Sequence, residues 1–384
     1  MKLVVDGVFF QLTYSGIARL WSSILPRLAL RPDLAIVLLD RGNCPPFEGI
    51  ERVEFPSYKL YANTAADSFL IEKYCRELRA DVFSSTYYTT PLSTPSVLIV
   101  YDMIPEVLGF NLHDRCWQEK ELAISFASYY ACISGNTESD LNRLYPATIG
   151  RSAVAHCGLD HEIFRPRDST QVERFKRLFG ISKPYFLLVG SRAQGHGYKN
   201  ASHMFDAVRK MRDIEFEILC IGGEEIIDPA SVVGLPANIS VRRVDLTDSE
   251  LASAYSGAEA LVFPTLYEGF GMPVIEAMAC GCPVITTKYG SLAEIAGDAA
   301  IFVSGHDESE MRSAMRSVRE VASRTQLIEN GLQRATLYDW DVMARGLYGL
   351  LKKAKEDGER QTMKEFFDRW TRLRRIQAEV DVAI

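Results

Sequence analysis

Glu268-Gly-Phe-Gly-Met-Pro-Val-Ile-Glu276 decides how this chain reads, because two carboxylates with seven residues between them flank a glycine loop that runs into a helix start. Upstream, Ala260-Leu-Val-Phe-Pro264 is strand-like. Downstream, Val274-Ile-Glu-Ala-Met-Ala-Cys280 is helix-like, Gly281 can stop that helix, and Val284-Ile-Thr-Thr287 opens the next strand. The predicted order is therefore strand, glycine loop, helix, strand. At such a helix start, around Met272 and Pro273, backbone N–H groups lack intrahelical partners and carry the positive end of the helix dipole, which suits a phosphate. Glu268 precedes that turn and Glu276 falls in the first turns of the helix. A carboxylate accepts two hydrogen bonds at once and so fits the vicinal hydroxyls of a ribose or a hexose. One anion site between two hydroxyl readers points to a nucleotide sugar. Taken singly, either glutamate is explained as well by complementing the helix dipole; the spacing and the sequence between them favour the ligand.

The rest of the composition bounds the function. At 384 residues the chain suits two domains of roughly 150–200 residues each. Its 47% hydrophobic and 24% charged residues are ordinary for a globular protein. Fifty acidic residues against 43 basic ones give a net charge of −7, which argues against a general nucleic-acid binder and makes any anion site a local one. No apolar run reaches the ~18 residues that span a bilayer, and Met1-Lys-Leu-Val-Val-Asp6 leads into a strand, so a cytoplasmic protein is expected. The eight cysteines show no CxxC pairing and read as reduced packing residues, Cys280-Gly-Cys282 included.

Outward from the central stretch, short apolar runs alternate with helical patterns. Leu3–Asp6, Ala35–Leu39, Val82–Ser84, Ser96–Val100, Tyr130–Ile133 and Ser152–Ala155 are strand candidates; Ile17–Leu25 and the segments 64–78, 115–127 and 136–144 are helix candidates. A second series begins at Tyr185–Val189 and continues through Glu217–Ile221, Ile239–Val244 and Ala260–Phe263. This alternation predicts two parallel, doubly wound sheets. The loop between Asp6 and Gly16 lacks G-x-G-x-x-G, which weakens a dinucleotide dehydrogenase, and Gly190–Lys199 lacks the G-x-x-x-x-G-K-[ST] register of an ATPase. Asp102, in Val100-Tyr-Asp-Met-Ile-Pro105, lies just beyond the carboxyl end of a strand, where ligands collect in such sheets. Arg192 and Lys199 follow another strand and can form a cationic clamp for phosphate. Asp339-Trp-Asp341 matches the D-x-D of metal-dependent transferases only as a string and reads as helix capping.

From Leu246-Thr-Asp-Ser-Glu-Leu-Ala-Ser-Ala-Tyr255 through Glu268-Gly-Phe-Gly-Met-Pro273 to Glu276-Ala-Met-Ala-Cys-Gly-Cys-Pro-Val284 and Ala293-Glu-Ile-Ala-Gly-Asp-Ala-Ala300, the chain closely resembles the retaining glycosyltransferases of family four, GT-B enzymes carrying a Glu-x7-Glu motif. The resemblance implies two Rossmann-like domains facing a cleft. An acceptor domain would span 1–165, a donor domain 166–345, and helices over 346–384 would cross back to the first domain. It further implies Glu268, Arg192, Lys199 and Asp102 as catalytic residues, with Arg192 and Lys199 on the donor diphosphate, Glu268 on the sugar and Glu276 on the ribose. Gly16, Ser191, Val244, Leu246, Gly271, Met272, Pro273 and Val274 would complete the donor site, with the base gripped near Val244–Leu246. Where the family often carries His-Asp, Tyr101 stands at the histidine position.

The implied reaction moves a mannose- or glucose-type hexose from GDP-mannose or a UDP-hexose to a saccharide or lipid-linked acceptor, with retention and without a metal or other cofactor, in surface polysaccharide or glycoconjugate synthesis. Alternatives are a nucleotide-sugar epimerase of the same architecture or a non-catalytic sugar-nucleotide-binding subunit. In the tail, Met363, Phe366, Phe367, Trp370 and Leu373 share a helical face beside arginines, which fits packing on the first domain or, less well, peripheral contact with the inner membrane.

Overall fold

The computed structural model describes residues 1–13, 15–58, 64–192, 197–358, 368–375 and 378. Two compact units divide the chain: Met1–Gly158 together with Trp340–Ile384, and Leu159–Asp339. The sequence-based divisions stood at 165/166 and 345/346.

In the first unit, the apolar runs become β1 (Lys2–Asp6), β2 (Ala35–Asp40), β3 (Glu51–Glu54), β4 (Val82–Ser85), β5 (Ser96–Val100), β6 (Tyr129–Cys132) and β7 (Ser152–Val154). They pair in parallel in the order β3-β2-β1-β4-β5-β6-β7. Helices cover both faces of such a sheet, so its central strands read as continuous apolar runs instead of alternating ones. Val4, for example, lies beside Val37 on one side and Phe83 on the other, and all three are buried. Several elements were not foreseen, among them the short helices Ile104–Val107 and Pro146–Thr148. The charged segment Glu51-Arg-Val-Glu54 becomes a strand because the outer edge of β2 offers it a ladder, with Leu39 opposite Val53, and its charges suit a sheet edge. A short helix, Val8–Leu12, fills part of the loop after β1 and buries Val8, Phe9 and Phe10.

The helix Trp340–Asp357 returns to this unit and packs on the helix Gly16–Ala29 and on β4 to β6. Residues 368–375 do likewise: Leu373 is fully buried with Ala65, Leu92, Leu122 and Phe126, and Trp370 lies against the same cluster. Arg369 Nη1 donates to the Leu92 carbonyl (3.2 Å), and Arg372 pairs with Glu121. The described part of the tail is thus a packing element. Met363, Phe366 and Phe367 lie outside the described residues. Asp341 of the D-x-D string pairs with Arg27 at 2.8 Å in the first turn of the returning helix.

In the second unit, β8 (Tyr185–Val189), β9 (Phe216–Ile221), β10 (Ile239–Val244), β11 (Ala260–Phe263), β12 (Val284–Thr286) and β13 (Ala300–Phe302) form a parallel sheet ordered β10-β9-β8-β11-β12-β13. β13, three residues long, is the strand of this sheet that the sequence did not announce. Chain order reverses between β1 and β4 in the first sheet and between β8 and β11 in the second. In doubly wound sheets the loops leaving the strands at such a switch point diverge and open a crevice for ligands.

Candidate functional site

β11 runs beside β8, Ala260 against Phe186 and Leu261 against Leu187, so the loops leaving their carboxyl ends meet at the switch point. Several bonds stitch these loops together. The Leu266 N–H and the Thr265 hydroxyl both donate to the Tyr198 carbonyl (2.6 and 3.1 Å), and Asn200 Nδ2 donates to the carbonyls of Pro264 (3.1 Å) and Gly305 (2.8 Å). Asn200 holds a left-handed backbone (φ 55°) ahead of the helix Ala201–Val208, a conformation that Asn tolerates better than most residues. The consequence is the position of Lys199: its Nζ lies 2.7 Å from Glu268 Oε1, with the two side chains 29% and 11% exposed. Two residues 69 positions apart thereby form one charge pair at the mouth of the sheet.

Glu268 is held through its backbone. Its carbonyl accepts from both the N–H (3.1 Å) and the hydroxyl (3.0 Å) of Ser291, whose hydroxyl also reaches the Phe270 carbonyl (2.8 Å). Gly290 makes this approach possible: a Cβ there would lie 2.6 Å from the Glu268 carbonyl oxygen and 2.8 Å from its nitrogen, and its φ of +59° is itself a glycine conformation. Gly271, at φ +96°, caps the helix Met272–Ala279, and a Cβ on it would meet Leu292 Cδ2 at 2.8 Å. The expected cluster of N–H donors at Met272 and Pro273 needs correction. Pro273 carries no N–H, and the Val274 N–H is spent on the Gly271 carbonyl (2.9 Å), so the donor capacity of the turn narrows to Gly271 and Met272.

Glu276 lies on the same helix, 2% exposed, and accepts from the phenol of the fully buried Tyr255 (3.3 Å). Burial, with the Glu276 carboxylate next to it, pushes the Tyr255 phenol far above the usual range, so it stays a donor. Arg192 faces elsewhere than toward Lys199's partner. Its Nη1 donates to the carbonyls of Gly222 (2.7 Å) and Gly190 (3.3 Å), its Nη2 to the Glu224 carbonyl, and its Nε is buried without a partner among the described residues. The Glu224 carboxylate accepts from the Arg192 N–H (2.6 Å) and from the Ser191 hydroxyl (2.5 Å). The predicted clamp is therefore two separately anchored cations. Val244 ends β10 and is buried, and Leu246 follows beyond Asp245, whose carboxylate pairs with Arg243.

Asp102 and Gly16 belong to the first unit. Asp102 lies beyond the end of β5, its Oδ1 accepting from the Ile104 N–H (2.9 Å). Tyr101 is absorbed into the core: it is 5% exposed, accepts from Trp21 Nε1 (2.8 Å) and donates to the Thr86 carbonyl (2.9 Å). Gly16 opens the helix Gly16–Ala29 with nothing within 4 Å of where its Cβ would be.

All eight cysteines are unpaired and seven are buried; burial pushes the Cys282 thiol up to about 12 and that of Cys280 higher still, which makes the pair inert. Among the described residues, no group of three or more His, Cys, Asp or Glu is placed to hold a metal ion, and no helix is long and apolar enough to cross a membrane. The sequence reading passed over Asn200, Gly290, Ser291 and Glu224. A Gly-Ser step between strand and helix and an Asn directly after Lys199 were the signals for three of them; Glu224 had none.

The fold is that of solved GT-B proteins. HepE of Anabaena in complex with UDP and glucose superposes with a TM-score of 0.71 at 15% identity, covering 92% of this chain and all of that one. The sucrose-phosphate synthase of Thermosynechococcus elongatus gives 0.70 at 18% identity over 92% of this chain and 98% of its own. In sequence, residues 183–320 match the family model described as glycosyl transferases group 1. The O-antigen chain mannosyltransferase RfbU of Salmonella typhimurium is 30% identical over 277 residues, 71% of this chain and 73% of its own length. The chain belongs to the glycosyl transferases group 1 family. It is also 25% identical over 235 residues to the MMP alpha-(1->4)-mannosyltransferase of Mycolicibacterium hassiacum; that match covers 58% of this chain, which spans about half the length of that relative, 53%.

Proposed function

We propose that the chain is a retaining hexosyltransferase that moves a mannose- or glucose-type sugar from a nucleoside-diphosphate donor to a saccharide or lipid-linked acceptor, in the assembly of a bacterial surface polysaccharide or glycoconjugate. The observation that carries this reading is the Lys199–Glu268 pair, 2.7 Å apart at the switch point, beside a helix start whose next carboxylate, Glu276, is buried and fixed by Tyr255. A cation, a helix dipole and two carboxylates in one loop cluster suit a diphosphate flanked by two sets of hydroxyls. RfbU, named for transfer of mannose in an O-antigen chain, supports the same class of substrate.

In this reaction the anomeric C1–O bond to phosphate breaks while a bond from C1 to the acceptor oxygen forms on the same face, and the acceptor's proton passes to the leaving phosphate. Negative charge grows on the diphosphate and positive charge on the sugar ring. Lys199 and the N–H groups of Gly271 and Met272 stabilise the first, and Glu268 stabilises the second and holds the sugar hydroxyls. Arg192 acts on the same diphosphate once it exchanges carbonyl partners for phosphate oxygens. Such cationic groups take the place that a divalent ion holds in D-x-D transferases, so the reaction runs without metal, in the cytoplasm.

The test is release of nucleoside diphosphate from GDP-mannose, UDP-glucose and UDP-galactose, each with and without methyl α-mannoside, before and after treatment with EDTA. Acceptor-dependent release that survives chelation is expected with one donor. Epimerised donor without release identifies an epimerase, and binding without either product a silent subunit. Activity abolished by EDTA and restored by Mn²⁺ overturns the metal-free chemistry.

A further inference from the structure

Lys120 is among the largest fully buried side chains of the protein, 0% exposed on the helix Arg115–Phe126. Its Nζ lies 2.7 Å from Glu106 Oε2 and 3.8 Å from Asp102 Oδ1, and 5.9 Å from the centre of the Tyr88 ring. Glu106 is 6% exposed and Asp102 28%, so this cluster of one cation and two carboxylates opens to solvent at Asp102. A buried lysine is a poor source of stability: an ion pair in the interior roughly breaks even against apolar residues of the same volume. Glu106 alone would balance its charge. The second carboxylate leaves the cluster with a surplus negative charge, and the geometry places that surplus on the one exposed member.

Asp102 Oδ1 accepts from the Ile104 N–H at 2.9 Å and lies 3.8 Å from the Lys120 ammonium, while its side chain stays 28% exposed. A partly exposed, ionised carboxylate is an acceptor for the hydroxyls of a sugar.

We propose that Lys120 is a positioning residue that presents the Asp102 carboxylate to a hydroxyl of the acceptor saccharide. This rests on the glycosyl-transfer reading and extends it to the first unit. Lys120 contacts no substrate and acts through Asp102.

The experiment is a double-mutant cycle of Lys120→Met and Asp102→Asn. It reads acceptor-dependent kcat and KM for methyl α-mannoside with the donor that the wild type turns over, the Kd of the bare nucleoside diphosphate by calorimetry, and melting temperature. Each single variant should lower kcat/KM for the acceptor about ten- to a hundredfold, the scale on which a misplaced group near the reacting atoms costs rate, with the diphosphate Kd unchanged. The double variant should be no worse than Asp102→Asn alone, because a residue that works through another adds nothing once that other is gone. Multiplicative losses overturn the proposal, as does a Lys120→Met that melts lower but keeps its kinetics. If Lys120→Met does not fold, Lys120→Gln replaces it, and Asp102→Asn still decides: wild-type kinetics in that variant overturn the inference. A wild type that releases no diphosphate removes the transferase reading itself, which separates the two failures.

Discussion

At the scale of residues, the Lys199–Glu268 pair carries opposite demands. In the proposed reaction the ammonium is needed by a leaving phosphate and the carboxylate by a sugar turning cationic, whereas here each satisfies the other at 2.7 Å. Glu268→Gln keeps an acceptor for Lys199 but removes the charge. Affinity for the bare nucleoside diphosphate should therefore hold or rise slightly, while kcat falls by about 10²–10³, the range seen when one transition-state electrostatic contact is lost. Glu276, in its proposed role on the ribose, is different because such a contact is made equally before and during reaction. Glu276→Gln should weaken diphosphate binding by roughly tenfold or more, as expected for a hydrogen bond to a charged group, and change kcat little. Calorimetry with the diphosphate beside initial rates for both variants makes the comparison. If neither substitution alters binding or rate, both glutamates are helix-start residues and the site reading falls.

At the scale of elements, the site depends on how closely the turn before the helix starting at Leu292 packs on the loop that carries Glu268. Gly290→Ala puts a methyl 2.6 Å from a backbone oxygen and forces an L-residue into a left-handed conformation. The second effect alone costs about 1–2 kcal/mol, and the backbone contact has no flexible side chain to yield. A lower melting temperature together with a lower kcat is expected, because the loop moves and takes Glu268 with it. Gly16→Ala supplies the contrast. Open space surrounds that position at a helix start, so the fold should be unchanged or slightly steadier. Any loss of activity in Gly16→Ala then measures contact with substrate. Equal melting and equal rates in the Gly290 variant would show that the packing of that turn is irrelevant to Glu268.

At the scale of the whole molecule, the first unit is completed by chain from the far end of the sequence. The helix Trp340–Asp357 lies on Gly16–Ala29, and residues 368–375 seat Leu373 and Trp370 among side chains from the first 130 residues. Truncation after Gly358 exposes that cluster. Burial of a leucine stabilises by about 1.5–3 kcal/mol and the indole adds more, so the melting temperature of the first unit should fall by several degrees. Differential scanning calorimetry of full-length and truncated protein checks this. Unchanged melting with loss of binding to anionic vesicles would assign the tail to a membrane instead.

Most strands and helices were legible because a doubly wound sheet, buried on both faces, writes each strand as an apolar run and each helix as a period of 3.6. β3 escaped because an edge strand needs only a neighbour's ladder, which no local pattern reveals, and Val8–Leu12 because five residues are too few to show a period. In the second unit the Glu-x7-Glu spacing, the helix start between its carboxylates and the place of Lys199 after a strand are local and legible, as in the first unit is the place of Asp102 beyond the end of β5. Tertiary structure alone decided which charges face each other. The pairing of β8 with β11 brings Lys199 to Glu268 across 69 residues and leaves Arg192 anchored among carbonyls, and helix packing sets Lys120 behind Asp102. A sequence encodes which groups can bear charge, because that is the chemistry of each residue. Which two come within 3 Å is settled by strand order and loop register, properties of the folded sheet as a whole.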